Sequence, residues 1–286
     1  MAVTLLSDVS EQVQKFWAPI TIDSLKQDSL LPALVNKDYQ GNIMNKGDTV
    51  YVSMINRPTA TRKTTSDVDA DVFETEKLST TRVGIVADQR ITAAIEIEDL
   101  VDLQSQIGDS GSKIRQGLME ALEIALNTYC YSLVNPSQSA PDHLISGVTD
   151  FNLTQLAAAR TLAAQAKWNK TSPWYILSDP VYFSDLLAVT NVTSQDFGAT
   201  DNPVISGRFG INRFGFSVLE DNSRSTDNAL AFHPDFLYLV MQKMPTFKLS
   251  DQHPNKRHGY ILSVDMICGA KLGLEGNVKH IKFYNS

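Results

Sequence analysis

The sequence predicts an α+β fold in which one long helix supports several strands. Residues 112–135 carry apolar side chains at three- and four-residue steps, the period of a helix, and Pro136 follows them. Two strand-like runs, 49–55 and 80–86, flank a long polar segment. After Pro136 the pattern alternates between short strands and short helices, which indicates a compact α/β unit.

Composition sets broad limits on the class of protein. The 286 residues, 43% hydrophobic and 20% charged, can form one large domain or two modest ones with a sizeable core. No apolar run reaches the roughly 18 residues of a membrane span, and no basic-then-apolar signal segment is present. The net charge of −7 argues against a protein that neutralises many phosphates. Cys130 and Cys268 form no disulfide framework, which fits a reducing compartment.

The N-terminal region, residues 1–46, is expected to form an arm without a dense core pattern. A short helical spacing ends at Pro19, and residues 29–46 are expected to be extended and polar. An arm of this length has to lie against its own domain or against a neighbouring chain.

Residues 47–90 read as a long two-stranded excursion. The runs 49–55 and 80–86 are rich in β-branched residues, whereas 56–79 contains few apolar ones. Such a hairpin is marginal in water by itself, so we expect a partner surface to support it.

The charges of this excursion have no predicted core role, and we expect them at contacts between subunits. Asp67, Asp69 and Asp71 have the spacing of a calcium loop, but Val72 and Leu78 stand where an EF-hand requires Gly and Glu. The expected contact residues are Arg57, Arg62, Lys63, Asp67, Asp69 and Asp71.

The next region, 91–138, begins with a strand that passes into a short acidic helix near Asp102. The long helix follows, with its apolar stripe on Ile114, Leu118, Leu122, Leu126, Tyr129 and Leu133. Because few charges interrupt it, we expect burial around most of its circumference.

In residues 139–286, Asn152 and Gln155 form a capping box for a helix at 153–167, and Pro180 begins another helix. The predicted strands are 174–177, 214–219, 229–232, 260–271 and 278–283, and 191–210 is expected to be a loop.

No catalytic, cofactor-binding or metal-binding constellation is found, so we expect no enzyme activity. Residues 207–215 lack the G-x-G-x-x-G spacing of a dinucleotide loop. His253 and His258 are five residues apart, not the three or four that share a helix face. The carboxylates at 96–102 are typical of a helix start.

The predicted segments follow one another along the chain in this order: the arm, the excursion, the strand with the long helix, the α/β unit and the returning strands. Loose motifs mark this order: Gly47-Asp48-Thr49-Val50, the segment 91–133, the segment 210–218, Phe232-His233-Pro234-Asp235, and the strands 260–271 and 278–283. In this order and these motifs the chain resembles tailed-phage major capsid proteins, whose fold is named after phage Hong Kong ninety-seven.

The resemblance implies an N-terminal arm (1–46), an extended loop (47–90), a peripheral domain with a spine helix (91–138), an axial domain (139–250) and returning peripheral strands (251–286). It implies hexamers and pentamers of the chain in an icosahedral shell around double-stranded DNA, which is held only by weak non-specific contact. Its partners would be a portal, a separate scaffolding protein because the arm is short, and a decoration protein, with no cofactor and no membrane. The expected location is the virion, after assembly in the bacterial host cytoplasm.

Some members of this family cross-link a lysine to a distant asparagine. Lys63, Lys77, Asn277 and Asn285 are present, but no signature marks that reaction, and we expect none. Two alternatives stay open at this point: an encapsulin-type nanocompartment shell, which has the same fold, and a small cytosolic α/β enzyme.

Overall fold

The computed structural model of the protein describes residues 29–39, 49–67, 72, 75–98, 111–134, 143–189, 212–224, 228–250 and 259–285. Its helices are α1 (Leu31–Leu34), α2 (Gly111–Ser132), α3 (Leu153–Gln165) and α4 (Pro180–Ala188). Its strands are β1 (Thr49–Ile55), β2 (Thr80–Val86), β3 (Gln89–Glu98), β4 (His143–Ser146), β5 (Trp174–Ser178), β6 (Asn212–Arg213), β7 (Phe216–Glu220), β8 (Asn228–Phe232), β9 (Leu237–Ser250), β10 (Gly259–Leu272) and β11 (His280–Tyr284). The predicted α+β class is confirmed.

The strands form three sheets. β1 and β2 make an antiparallel ladder that runs from Thr49 opposite Val86 to Ile55 opposite Thr80. A second, antiparallel sheet has the order β3-β10-β9, and a third, mixed sheet has the order β4-β11-β8-β5-β7-β6. Both strands of the excursion have the predicted bounds.

Helix α2 joins the two larger sheets through one core. Its buried stripe of Leu118, Leu122, Leu126 and Cys130 shares a cluster with apolar residues of both sheets. The contributing sheet residues include Leu177, Leu230 and Phe232 on one side and Val264, Met266 and Cys268 on the other. The long helix at the centre of the fold is therefore confirmed.

The expected burial around most of α2 is wrong for the single chain. Its exposed residues are Arg115, Gln116, Gly117, Ala121, Glu123, Thr128 and Ser132. The sheets cover only one side of the helix, so the small and polar residues of the other side remain on the surface.

Helices α3 and α4 pack on the other face of the six-stranded sheet. The core there contains Leu156 and Ala159 of α3 and Tyr182 and Leu186 of α4. The capping box is confirmed: Asn152 Oδ1 accepts from Thr154 N at 2.8 Å, and Asn152 N donates to Gln155 Oε1 at 3.3 Å. Asp179 caps α4, which has Pro180 in its first turn.

The segment 29–39 differs from the extended, polar arm that was expected. Leu31 and Pro32 are buried in α1, and Leu31 packs in the α2 core. Asn36 then bridges to Tyr238 and donates from Nδ2 to Asp235 Oδ1 at 2.7 Å. This part of the arm is apolar enough to join the chain's own core.

Strand β9 was not predicted, although it is 14 residues long. Its Pro245 argues against a central strand, but β9 is the edge strand of its sheet, and the pairing with β10 shifts register between Lys243 and Thr246. The domain division at residue 250 stays a prediction. Strand pairing groups the chain differently, since β9 joins the three-stranded sheet and β11 the six-stranded one.

Phe214 was expected in a strand but lies in the turn between β6 and β7. Its φ of 52° and that of Gly215 at 83° are left-handed, as a tight hairpin turn requires. Several predictions lie outside the described residues: the helix before Pro19, the acidic helix near Asp102, the loop 191–210 and the histidines His253 and His258.

Candidate assembly surface

The base of the extended loop is anchored on the three-stranded sheet. Alternate residues of the β1–β2 ladder, among them Val52 and Ile85, are buried in a cluster with Tyr238, Val240 and Leu274. The approach is close at Gly269 of β10, where an added Cβ would lie 2.0 Å from the Val86 carbonyl oxygen. The base of the loop is thus fixed by the chain's own core.

The outer face of the same ladder is exposed. Tyr51 and Ile55 are 59% and 62% exposed, and Leu78 beyond the ladder is 71% exposed. The Arg82 guanidinium lies 4.9 Å from the centre of the Tyr51 ring. The outer face of the extended loop therefore exposes apolar and cationic side chains.

Beyond the ladder the loop continues outward as two segments, 56–67 and 75–79, which polar contacts hold together. Asn56 N donates to Ser79 O at 3.0 Å, and Thr59 N donates to Glu76 Oε2 at 2.9 Å. These bonds are exposed to water, so each contributes little to stability. Core packing therefore stops at the base of the loop.

The predicted contact residues separate into three groups. Arg57 and Arg62 are exposed and make no hydrogen bond or ion pair with the described residues. Lys63 and Asp67 act within the loop: Lys63 Nζ donates to Val72 O at 2.7 Å, and Asp67 Oδ2 accepts from Thr64 N at 2.9 Å. Asp69 and Asp71 lie outside the described residues. The role of these residues at contacts between subunits stays a prediction.

A second exposed feature is an apolar row on the outer half of the three-stranded sheet. In β10, Leu262 and Val264 face α2 and are buried. Their neighbours in register, Ile95 of β3 and Phe247 and Leu249 of β9, are 41%, 40% and 64% exposed. Residues opposite one another in a sheet lie on the same face. The α2-facing row thus continues beyond the buried core.

The other face of this sheet carries a polar network around Asp265. Its carboxylate accepts from Lys243 Nζ, from Thr246 Oγ1 at 3.1 Å and from Arg90 Nη2 at 3.2 Å. The hydrogen bond from Lys243, with those from Thr246 and Arg90, lowers the pKa of Asp265 to about 2. This carboxylate is therefore ionised at any physiological pH. The network was not predicted, because its residues are far apart in sequence.

A polar cleft of about 370 Å³ lies between the C-terminal half of α2 and the six-stranded sheet. Tyr131 donates to the buried Asp221, which also accepts from Ser223 N at 2.9 Å. The Arg224 guanidinium lies 4.9 Å from the Tyr131 ring centre, and Lys282 lines the same cleft. Burial raises the pKa of Tyr131, so this hydroxyl remains a hydrogen-bond donor.

The described part of the chain has few other groups that could bind a metal ion or react. No group of three His, Cys, Asp or Glu side chains there is arranged to hold a metal ion. Burial raises the pKa of Cys130 to about 12 and that of Cys268 to about 11, which leaves both thiols protonated and unreactive. None of the described helices is long and apolar enough to cross a membrane.

Comparison with solved structures gives near-complete matches to chains of phage structures, two of which are described as capsids. A chain of Mycobacterium phage Che8 matches with a TM-score of 0.77 at 16% identity, covering 94% of this chain and 96% of its own. A chain in the capsid structure of cyanophage P-SCSP1u has a TM-score of 0.74 at 14% identity, covering 97% of this chain and 94% of its own. A chain of the cyanophage Pam1 capsid asymmetric unit has a TM-score of 0.72 at 13% identity, covering 96% and 97%.

No protein-family model and no curated protein sequence matches the chain. At these identities the structural likeness establishes the fold. The fold inferred from the order of segments and the loose motifs is therefore confirmed, with α2 as its long helix.

Proposed function

We propose that the chain is the major capsid protein of a tailed phage and that many copies of it form an icosahedral shell around double-stranded DNA. The observation that carries this proposal is the match of nearly the whole chain to the capsid chains of the two cyanophages. A match over a single domain would support the proposed function much less strongly, since one fold can host unrelated functions.

The surface of the single chain supports the proposal. The outer face of the extended loop and the row of Ile95, Phe247 and Leu249 leave large apolar side chains in water. Exposed apolar groups that continue a core are typical of surfaces that another chain completes. Arg57 and Arg62 on the loop supply charge that sets the register of such a contact.

The finer features of the proposal are those that the resemblance to tailed-phage capsid proteins implies. Hexamers and pentamers would build the shell, the arm (1–46) and loop (47–90) would reach neighbours, and residues 91–138, 139–250 and 251–286 would form peripheral, axial and returning peripheral parts. A portal, a separate scaffolding protein and a decoration protein would be partners, with assembly in the host cytoplasm and residence in the virion. The net charge of −7 suits a lining that holds DNA weakly. The role is structural and non-enzymatic.

The test is the particle formed by the purified full chain, examined by size-exclusion chromatography and negative-stain electron microscopy. We expect closed particles of uniform diameter, eluting far ahead of a 31.6 kDa monomer. A stable monomer or dimer under all conditions of salt, pH and protein concentration would contradict the proposal. Particles that enclose a cargo enzyme in the source cells, and never DNA, would identify a nanocompartment shell instead.

A further inference from the structure

The polar cleft beside α2 contains two cationic side chains, those of Arg224 and Lys282. Its lining includes polar residues such as Asn127, Tyr131 and Asn228 and the apolar residues Val134 and Leu230. Within the described residues, neither Arg224 nor Lys282 forms a salt bridge with a carboxylate. Arg224 Nη2 donates to the amide oxygen of Asn228, and its Nε is buried without a hydrogen-bond partner.

Several other polar groups of the cleft already have partners within the chain. Thr128 donates to Ile124 O at 2.9 Å, and Asn127 Nδ2 donates to Ser223 Oγ at 2.8 Å. The buried carboxylate of Asp221 accepts from Tyr131 and Ser223. The charged donors of the cleft are the guanidinium of Arg224 and the ammonium of Lys282.

The Arg224 guanidinium is held by stacking, and the backbone of Lys282 is held by strand pairing. The Arg224 guanidinium lies 4.9 Å from the Tyr131 ring centre, and Tyr131 is itself tied to Asp221. Lys282 lies in β11, where strand pairing places it opposite Leu230 of β8. Burial, together with the charge of Arg224, lowers the pKa of Lys282. Two like charges so held attract an anion more strongly than two mobile surface cations do.

We propose that this cleft binds a phosphate-class oxyanion between Arg224 and Lys282. A guanidinium offers paired N–H donors that match an oxyanion, and the ammonium adds a point charge from the second side. A volume of about 370 Å³ is enough for inorganic phosphate or for one phosphodiester unit of a nucleic acid. This inference does not depend on the proposed shell function.

The proposal competes with a purely structural role for the same residues. Cations near the C-terminal half of a helix are stabilised by its dipole. In that case Arg224 and Lys282 would stabilise the fold equally with or without phosphate, and no saturable binding would be seen.

The experiment measures inorganic phosphate binding to the full chain by isothermal titration calorimetry at constant ionic strength and pH, with chloride as the reference anion. We expect saturable binding with a stoichiometry of one per chain, and a melting temperature that rises with phosphate. Arg224→Gln and Lys282→Gln should each bind at least about tenfold more weakly, the loss expected for one charge-assisted hydrogen bond.

Arg82→Gln is the matched control, because Arg82 also stacks on a tyrosine at 4.9 Å but lies on the exposed ladder. It should bind phosphate like the wild type. If Arg224→Gln fails to fold, as judged by circular dichroism, Lys282→Gln decides alone. No saturable binding by the wild type, or equal binding by all variants, would overturn the proposal.

A short DNA duplex added to the phosphate complex identifies the source of the oxyanion. Displacement of phosphate by the duplex would assign the cleft to a DNA phosphodiester, and retention of phosphate would assign it to the free ion. Both outcomes support the oxyanion site.

Discussion

At the scale of single residues, two positions connect packing to measurable stability. Gly269 allows the end of β2 to cross β10 at van der Waals distance. His233 begins the turn into β9, where its Nδ1 accepts from Asp235 N at 3.2 Å. Gly269 thus lies at the contact between the loop base and β10, and His233 lies at the turn that leads into β9.

Gly269→Ala should destabilise the chain by about 1–3 kcal/mol, because the added methyl group would overlap the Val86 carbonyl and force the base of the loop away. Urea unfolding measures this change. Gly117→Ala on the exposed side of α2 is the control, since its Cβ would meet nothing within 4 Å. It should stabilise by about 0.5–1 kcal/mol through helix propensity. Equal effects of both substitutions would show that the loop base is not packed as described.

His233 should make stability depend on pH. Burial lowers its pKa below the ordinary 6.5, so the unfolded chain binds a proton at this residue more readily than the folded chain does. Stability from the neutral ring is complete above pH 6.5 and decreases as pH falls below it toward the folded pKa. Urea midpoints at several pH values from 7.5 downward measure this slope. His233→Gln should be less stable at pH 7.5 but should have a shallower slope, and an unchanged slope would contradict the assignment.

At the scale of elements, α2 and the extended loop differ in how much of each is stabilised by the chain's own core. The helix draws its stability from a buried stripe, whereas the loop is anchored at its base and continues as exposed polar arms. Changes in the helix should therefore affect folding, and changes at the outer end of the loop should affect assembly.

Leu122→Asp should prevent folding or give insoluble protein. The side chain is 1% exposed, and an unpaired carboxylate there would cost several kcal/mol. Ala121→Asp introduces the same group one residue away on the exposed side and should cost less than about 1 kcal/mol. Soluble yield and circular dichroism compare the two, and a soluble, fully folded Leu122→Asp protein would refute the burial of this stripe.

Arg57→Glu combined with Arg62→Glu should leave the chain folded, because exposed substitutions shift stability by only about 0.5 kcal/mol each. Particle yield should fall sharply, since like charges would meet at the proposed contact. The neutral pair Arg57→Gln and Arg62→Gln should give a smaller defect. Sign reversal at Asp67, Asp69 and Asp71 tests the same surface, but Asp67 also caps Thr64 N, so that variant needs a check of loop structure. Normal particles from the arginine reversal would mean that the loop contacts no neighbour through these residues.

At the scale of the whole molecule, the fold leaves several surfaces for other chains. The outer face of the β1–β2 ladder and the row of Ile95, Phe247 and Leu249 expose large apolar side chains. A repeating shell offers a partner for each of them by symmetry.

Local patterns in the sequence predicted most of the elements. β-branched runs gave β1 and β2, helical period gave α2, and a capping box gave the start of α3. β9 was missed because Pro245 is acceptable only at a sheet edge, and edge position depends on the whole topology. The exposure of Arg57 and Arg62 could be predicted from the polar character of the loop. The cleft between Arg224 and Lys282 had no local signal in the sequence, because these residues are 58 positions apart and only the tertiary fold brings them together.

The most direct test of the proposed function is a cryo-electron microscopy reconstruction of the particle assembled from the full chain. We expect a closed icosahedral shell in which residues 56–79 of each subunit lie against a neighbour, with Arg57 and Arg62 at that contact. A closed shell whose loops touch no neighbour would contradict the loop assignment alone. The absence of any closed particle, at concentrations where the chain is folded, would contradict the capsid function.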